Sequence, residues 1–245
     1  MTTNDWLTIS ISGIALMFSV LTTVISLRQR SLDVQRNVRD QLSNIINELH
    51  TTFVEKQKLK PSFQPNKNLT PEESNRLRRI RNKNRFLVRQ AVFLIEQLPM
   101  KLVSDMEYAE VAIALDTIGN IPQAELYWKK SVDAAVDDFY KSSNTKGYAR
   151  FLVTHDRYDE ARQIYKQRIN AIHDNSDHMK YAKGELYRSW ARGEAEVNSL
   201  SKANELFRKA ETEYNSIQNT ELKLSGLSNL NEAKVAVSNI IGRKI

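Results

Sequence analysis

The sequence has no cysteine, which excludes disulfides, thiolate metal sites and thiol nucleophiles. A chain without cysteine also sits easily in a reducing compartment. Glycine and proline are scarce, seven and five in 245 residues. That scarcity argues for long helices joined by short turns and against a β-sandwich or barrel. The length allows one or two domains with an ample core. Signatures of catalysis are missing too: there is no G-x-x-x-x-G-K-[ST] loop, G-x-G-x-x-G, H-E-x-x-H or G-x-S-x-G. No enzyme activity and no cofactor are expected.

Histidine is almost as sparse. Of four, only His173 and His178 lie near each other, in "HDNSDH" with Asp174 and Asp177. Those residue types can hold a metal, but a polar inter-helix loop is the commoner use and is the expectation here. His50 and His155 have no ligand-like neighbours, and Asp137-Asp138 falls at a helix end.

What the chain does have is one basic segment and one apolar run. The formal charge is +7, and between Lys60 and Lys101 ten Lys or Arg stand against three Glu, so the remainder is about neutral. The apolar run, Trp6 to Leu27, is 22 residues without a charge. At about 1.5 Å per residue it would span roughly 33 Å, enough for a bilayer core. No positive region precedes it and no small-residue cleavage site follows, which argues against a signal peptide. Arg28, Arg30, Arg36 and Arg39 follow at once. The positive-inside bias then predicts a single-pass anchor over 6–27 in the plasma (inner) membrane, N-terminus outside and the C-terminal domain cytoplasmic. Ser12, Ala15, Ser19, Thr22 and Ser26 form a small-residue stripe of the kind that lets helices approach closely, which leaves a homo-oligomer open.

From 28 to 60 the pattern is helical. Val38, Leu42, Ile45, Leu49 and Thr52 follow a 4-3-4-3 spacing, with Ile46 and Phe53 widening the stripe. Two heptads are too short for a coiled coil, so this juxtamembrane helix is expected to pack on the domain's own core rather than form a dimer seam. Pro61 and Pro65, with Pro71 just beyond, make 61–70 a loop. A basic helix over 71–99 then starts on a capping box, with Thr70 at the N-cap, Pro71 at the first position and Glu73 completing it. Arg76, Arg78, Arg79, Arg81, Lys83, Arg85 and Arg89 crowd its first half, over a buried side of Leu77, Phe86, Leu87, Val88, Ala91, Leu94, Ile95 and Leu98. Three uses stay open for those cations: a solvated face, contact with anionic lipid, or nucleic acid. For nucleic acid, base-stacking aromatics are few.

The rest of the chain repeats itself. Ala124 has Gly119 five residues before it, Ala112 twelve, Tyr108 sixteen, and Trp128 four after. Ala161 has Ala149 twelve before, Leu152 nine, Tyr158 three, and Tyr165 four after. Ala203 has Ala191 twelve before, Tyr187 sixteen, Phe207 four after and Ala210 seven. Small residues let paired helices cross closely, and an aromatic fills the space beside them. This spacing resembles the tetratricopeptide repeat, a 34-residue helix–turn–helix unit. The resemblance covers 104–216, about three units, and implies an all-α solenoid. It departs from the family in three ways. The landmark alanines are 37 and 42 residues apart, and Val136, His173 and Asn215 replace the unit-ending proline. Glu194 also stands where an apolar residue belongs. Ser104 and Glu107 make a second capping box. Residues 220–241 carry Leu222, Leu227, Leu230, Ala233, Val237 and Ile240 at helical steps and suit a capping helix. The whole chain is also similar to bacterial proteins with one anchor and a short helical-repeat domain, a likeness that brings no activity with it.

In the repeat family the first helix of each unit lines a concave face that holds a partner peptide. The matching positions here are Lys146 and Arg150, then Arg188 and Arg192, at equal offsets of fifteen and eleven residues before Ala161 and Ala203. Such a row would suit an acidic segment or a chain's terminal carboxylate. The reading is therefore a membrane-anchored interaction scaffold or adaptor. The alternative is a membrane-associated protein that binds nucleic acid or anionic lipid through the arginine helix 76–89.

Overall fold

The computed structural model describes residues 3–59 and 70–241, with side chains from residue 17 onward except at 57, 59, 240 and 241. The loop expected at 61–70 falls almost wholly outside the described residues. Among those described, nine α-helices and one short 3-10 turn account for the regular structure, and there is no strand. The fold is all-helical and compatible with a helical repeat protein.

The first helix, α1 (Thr3–Leu59), is one uninterrupted element of 57 residues. It carries the apolar run directly into a charged, core-packing half. Among the described residues no helix is long and apolar enough to cross a membrane. The side chains of residues 6–16 of the expected span lie outside the described residues. In the part that is described, Ser19, Thr22, Thr23 and Ser26 dilute eleven residues, with Thr22 and Thr23 hydroxyls donating back to carbonyls one turn earlier. Arg39, expected to flank a membrane on its cytoplasmic side, instead pairs with buried Glu107 of another helix. The single-pass anchor, the plasma-membrane location and the N-terminus-outside orientation are corrected accordingly. Of the small-residue stripe, Ser19, Thr22 and Ser26 are exposed, while Ser12 and Ala15 lie outside the described side chains.

Further along α1, Val38, Leu42 and Leu49 are buried, as the stripe requires. They pack on α2 (Pro71–Glu96), which begins on the Thr70–Glu73 capping box with both reciprocal hydrogen bonds formed. Thr52, buried at the end of the stripe, bonds the side chain of buried Asn84 on α2. A 3-10 turn, Met100–Leu102, leads to the second capping box, where Ser104 and Glu107 start α3 (Asp105–Thr117).

Three hairpins follow: α3 with α4 (Ile121–Ala134), α5 (Asp138–Thr154) with α6 (Tyr158–Ala171), and α7 (Asp177–Glu196) with α8 (Leu200–Asn215). Last comes α9 (Thr220–Ile241). The first helices of the hairpins stack in a row, α3 on α5, α5 on α7 and α7 on α9, and α1 packs ahead of them on α3. Each hairpin turns the same way. Gly119, Asp156 and Asn198 take the left-handed backbone at φ of 84°, 60° and 63°. The following N–H then reaches a carbonyl five residues back, Asn120 to Leu115, Arg157 to Leu152 and Ser199 to Glu194. Each left-handed residue lies five before its landmark alanine, and Ala124, Ala161 and Ala203 are at most 1 % exposed.

The core is continuous rather than central. One apolar cluster runs from α1 and α2 to the middle of α7, a second fills the space among α7, α8 and α9, and Tyr187 and Trp190 touch both. Each unit therefore rests mainly on its neighbours. Glycine marks the tightest of these contacts. A Cβ on Gly184 or Gly226 would sit within 2.4 Å of the Tyr214 ring, so both helices close on that ring.

Candidate functional site on the first helices of the repeats

Helices α5 and α7 are neighbours, and the four cations expected to line a groove are brought to their shared face, though not to one purpose. Lys146 donates to Glu185 Oε2 at 2.7 Å, and Arg188 makes a two-pronged contact with the same carboxylate at 2.9 and 2.7 Å. Tyr214, 0 % exposed and closely approached by Gly184 and Gly226, donates its hydroxyl to Glu185 Oε1 at 2.9 Å. Glu185 is itself 8 % exposed. Burial alone would push its carboxyl up, but Arg188 and Lys146 outweigh this and hold it at about 2. Lys146 and Arg188 are thus spent inside the protein.

Arg150 and Arg192 are not. Arg150 gives Nη2 to Glu196 Oε1 at 3.0 Å, while its Nη1 is buried with no hydrogen-bond partner. Arg192 is exposed and makes no hydrogen bond or ion pair with a described residue. Desolvation, then the charges of Arg150 and Arg188, pull the Arg192 guanidinium below its ordinary value, against the opposing pull of Glu196. The two cations repel one another and share the field of Glu196, and one of them keeps a buried donor unsatisfied. Beside them Tyr165 stacks on Trp190 with ring centroids 5.8 Å apart, and its hydroxyl shares a hydrogen with Ser189 at 2.8 Å. A cavity of about 190 Å³ opens on the same face, lined by Phe139, Ser142, Lys146, Tyr181 and Glu185 among others.

Sequence reasoning missed the anions that divide these four cations. Glu185 and Glu196 sit 39 and 46 residues from the cations they pair with, beyond the reach of any one-helix spacing rule. The signal that could have found Glu185 is local: it stands three before Arg188 on the same helix, ion-pair spacing. Glu194, unexpected at an apolar position, has a plain explanation. It is 3 % exposed and accepts two hydrogen bonds from Arg162 at 2.7 Å, with a third from Trp190 Nε1 at 2.8 Å.

The basic helix is less spent. Lys83 pairs with Glu48 of α1 at 3.0 Å, and Arg78 donates to Asn75 at 3.3 Å. Arg76, Arg79, Arg81, Arg85 and Arg89 are exposed and make no ion pair or hydrogen bond with a described residue. Phe86, expected on the buried side, is 63 % exposed, because α1 and α3 cover α2 along a narrower strip than its apolar residues offer. In "HDNSDH", Asp174 accepts from the Ser176 N–H and hydroxyl, and Asp177 holds the N–H groups of Gln218 and Asn219 at the α8–α9 turn. His178 meets the Phe139 ring edge to face. Among the described residues no group of three or more His, Asp or Glu is arranged to hold a metal.

No family model matches the chain, and no curated protein matches it.

Proposed function

We propose that the protein is an interaction scaffold of the tetratricopeptide-like kind, in which the α5–α7 face takes an acidic or chain-terminal peptide of a partner protein. The observation that carries this reading is the Arg150–Arg192 pair, with the Arg150 Nη1 buried and unpartnered and Arg192 making no hydrogen bond with a described residue. Two further features support it: the recurring left-handed turn five residues before each buried alanine and the row of first helices. A carboxylate between the two guanidiniums would satisfy the orphan donor and relieve their mutual repulsion. Of the four cations first considered, Arg150 and Arg192 carry the grip, and Lys146 and Arg188 hold Glu185 in place.

The test uses a fluorescent acidic peptide with a free C-terminus and its C-terminal amide, measured by anisotropy on the full chain. Charge-assisted hydrogen bonds contribute about 1.5–3 kcal/mol each, so Arg192→Gln should weaken the acidic peptide about tenfold or more. Arg208→Gln, on the exposed side of α8, should leave it unchanged. Equal binding by wild type, Arg192→Gln and Arg150→Gln would rule the site out.

A further inference from the structure

The arginine helix has a use that this groove does not absorb. Between α2 and the α3–α4 turn lies a cleft of about 470 Å³, lined by Arg85, Val88, Arg89 and Val92 of α2 and by Leu115, Ile118, Gly119, Asn120 and Gln123. That volume falls in the range of small-molecule sites. The lining holds two cations and no carboxylate. Its floor is apolar, with Val88 and Leu115 at most 2 % exposed and Val92 and Ile118 half-buried.

Arg85 and Arg89 are four residues apart on one helix face, about 6 Å along its axis, close enough for both guanidiniums to converge on one anion. Neither has a partner among the described residues. The opposite wall is polar, although the Gly119 and Asn120 N–H groups are spent on the Asp116 and Leu115 carbonyls. Asn120 precedes the first turn of α4 but spends its side-chain amide on Gln123 Oε1 at 2.6 Å, leaving no side-chain cap on that helix start. Gly119 adds bare backbone, and nothing lies within 4 Å of where its Cβ would be.

We propose that this cleft binds a small organic phosphate, with Arg85 and Arg89 gripping the phosphoryl group and the Val88–Leu115 floor taking an apolar or aromatic body. Phosphate suits the site because two uncompensated guanidiniums match a dianion. The apolar floor sets the ligand apart from free phosphate. The arginines that a nucleic-acid backbone would add, Arg76 and Arg79, lie outside the lining.

The experiment titrates the full chain with phenyl phosphate, inorganic phosphate and a single-stranded RNA of about twenty nucleotides, by calorimetry and by amide shifts. Phenyl phosphate should bind about tenfold or more tightly than inorganic phosphate, because its ring leaves water, and should shift the amides of Val88, Leu115 and Gln123. Arg85→Gln with Arg89→Gln should lose about tenfold in affinity, while Arg76→Gln with Arg79→Gln should lose none. These side chains are exposed, so the variants should keep the parent circular dichroism. Val92→Trp, which fills the cleft, should abolish phenyl phosphate binding yet spare the weaker inorganic phosphate. The proposal is overturned if phenyl phosphate binds no better than inorganic phosphate, or if the Arg85/Arg89 pair is dispensable. It is equally overturned if RNA binds more tightly than phenyl phosphate and falls alike with either arginine pair.

Discussion

Asn198 sits at φ 63° with a side chain that a left-handed backbone tolerates but does not favour. Gly119 occupies the same position of the first hairpin, and glycine carries no such cost. Asn198→Gly should therefore stabilise the protein by about 0.5–1 kcal/mol, seen as a rise in Tm of about 1–4 °C. A fall in Tm would show that the turn is held by something other than backbone preference. Asp156 is the less clean site, because its carboxylate accepts from the Tyr158 hydroxyl at 2.7 Å and glycine would lose that bond. Single residues also show where sequence reading stops. Ala124 with Trp128 was legible, since small and aromatic side chains at helical spacing imply close packing whatever the neighbour. Glu194 was not, since the Arg162 that satisfies it belongs to another helix 32 residues away.

At the scale of the element, α1 is two things in one helix. Residues 17–34 are exposed on every side, whereas Leu42 is 0 % and Leu49 2 % exposed. Periodicity identified the face that Val38, Leu42 and Leu49 present, and the bundle begins where that face meets α2 and α3. Leu42→Ala should cost about 2–5 kcal/mol in a urea or thermal melt, as deletion of a fully buried leucine does. Leu32→Ala, on the exposed half of the same helix, should change stability by less than about 0.5 kcal/mol. Similar losses at both positions would mean that the exposed half is covered by something the described contacts do not contain. The apolar run over 6–27 misled for a related reason. Composition counts apolar residues, whereas a crossing needs length and hydropathy together in one helix, and no helix among the described residues has both.

For the whole molecule, the decisive interactions are ion pairs between hairpins: Arg162 with Glu194, Arg157 with Glu125 at 3.1 Å, and the Lys146–Glu185–Arg188 set. Glu185 ties acid stability to this arrangement. Its carboxyl is held at about 2 in the fold, against an ordinary value of 4.5. A lowered carboxylate contributes stability that is present above the unfolded value and is lost as pH falls through the folded one. Its share is about 3 kcal/mol at neutral pH, draining away between about pH 5 and pH 2. Urea melts across that window should show a steep loss of stability in the parent and a shallower one in Glu185→Gln. Parallel slopes would remove Glu185 from the account.

The sequence by itself determined the helices, both capping boxes, the first hairpin turn and the buried alanines. These depend on neighbours within a turn or two, and helical periodicity makes such neighbours predictable. Only the tertiary structure decided which cations are free. Lys146, Arg150, Arg188 and Arg192 are equivalent in spacing, yet Glu185 neutralises two of them, while Arg150 and Arg192 share the field of Glu196 and Arg150 Nη1 is left unmet. Charges pair through space, and the stacking of α7 on α5 chooses the pairs.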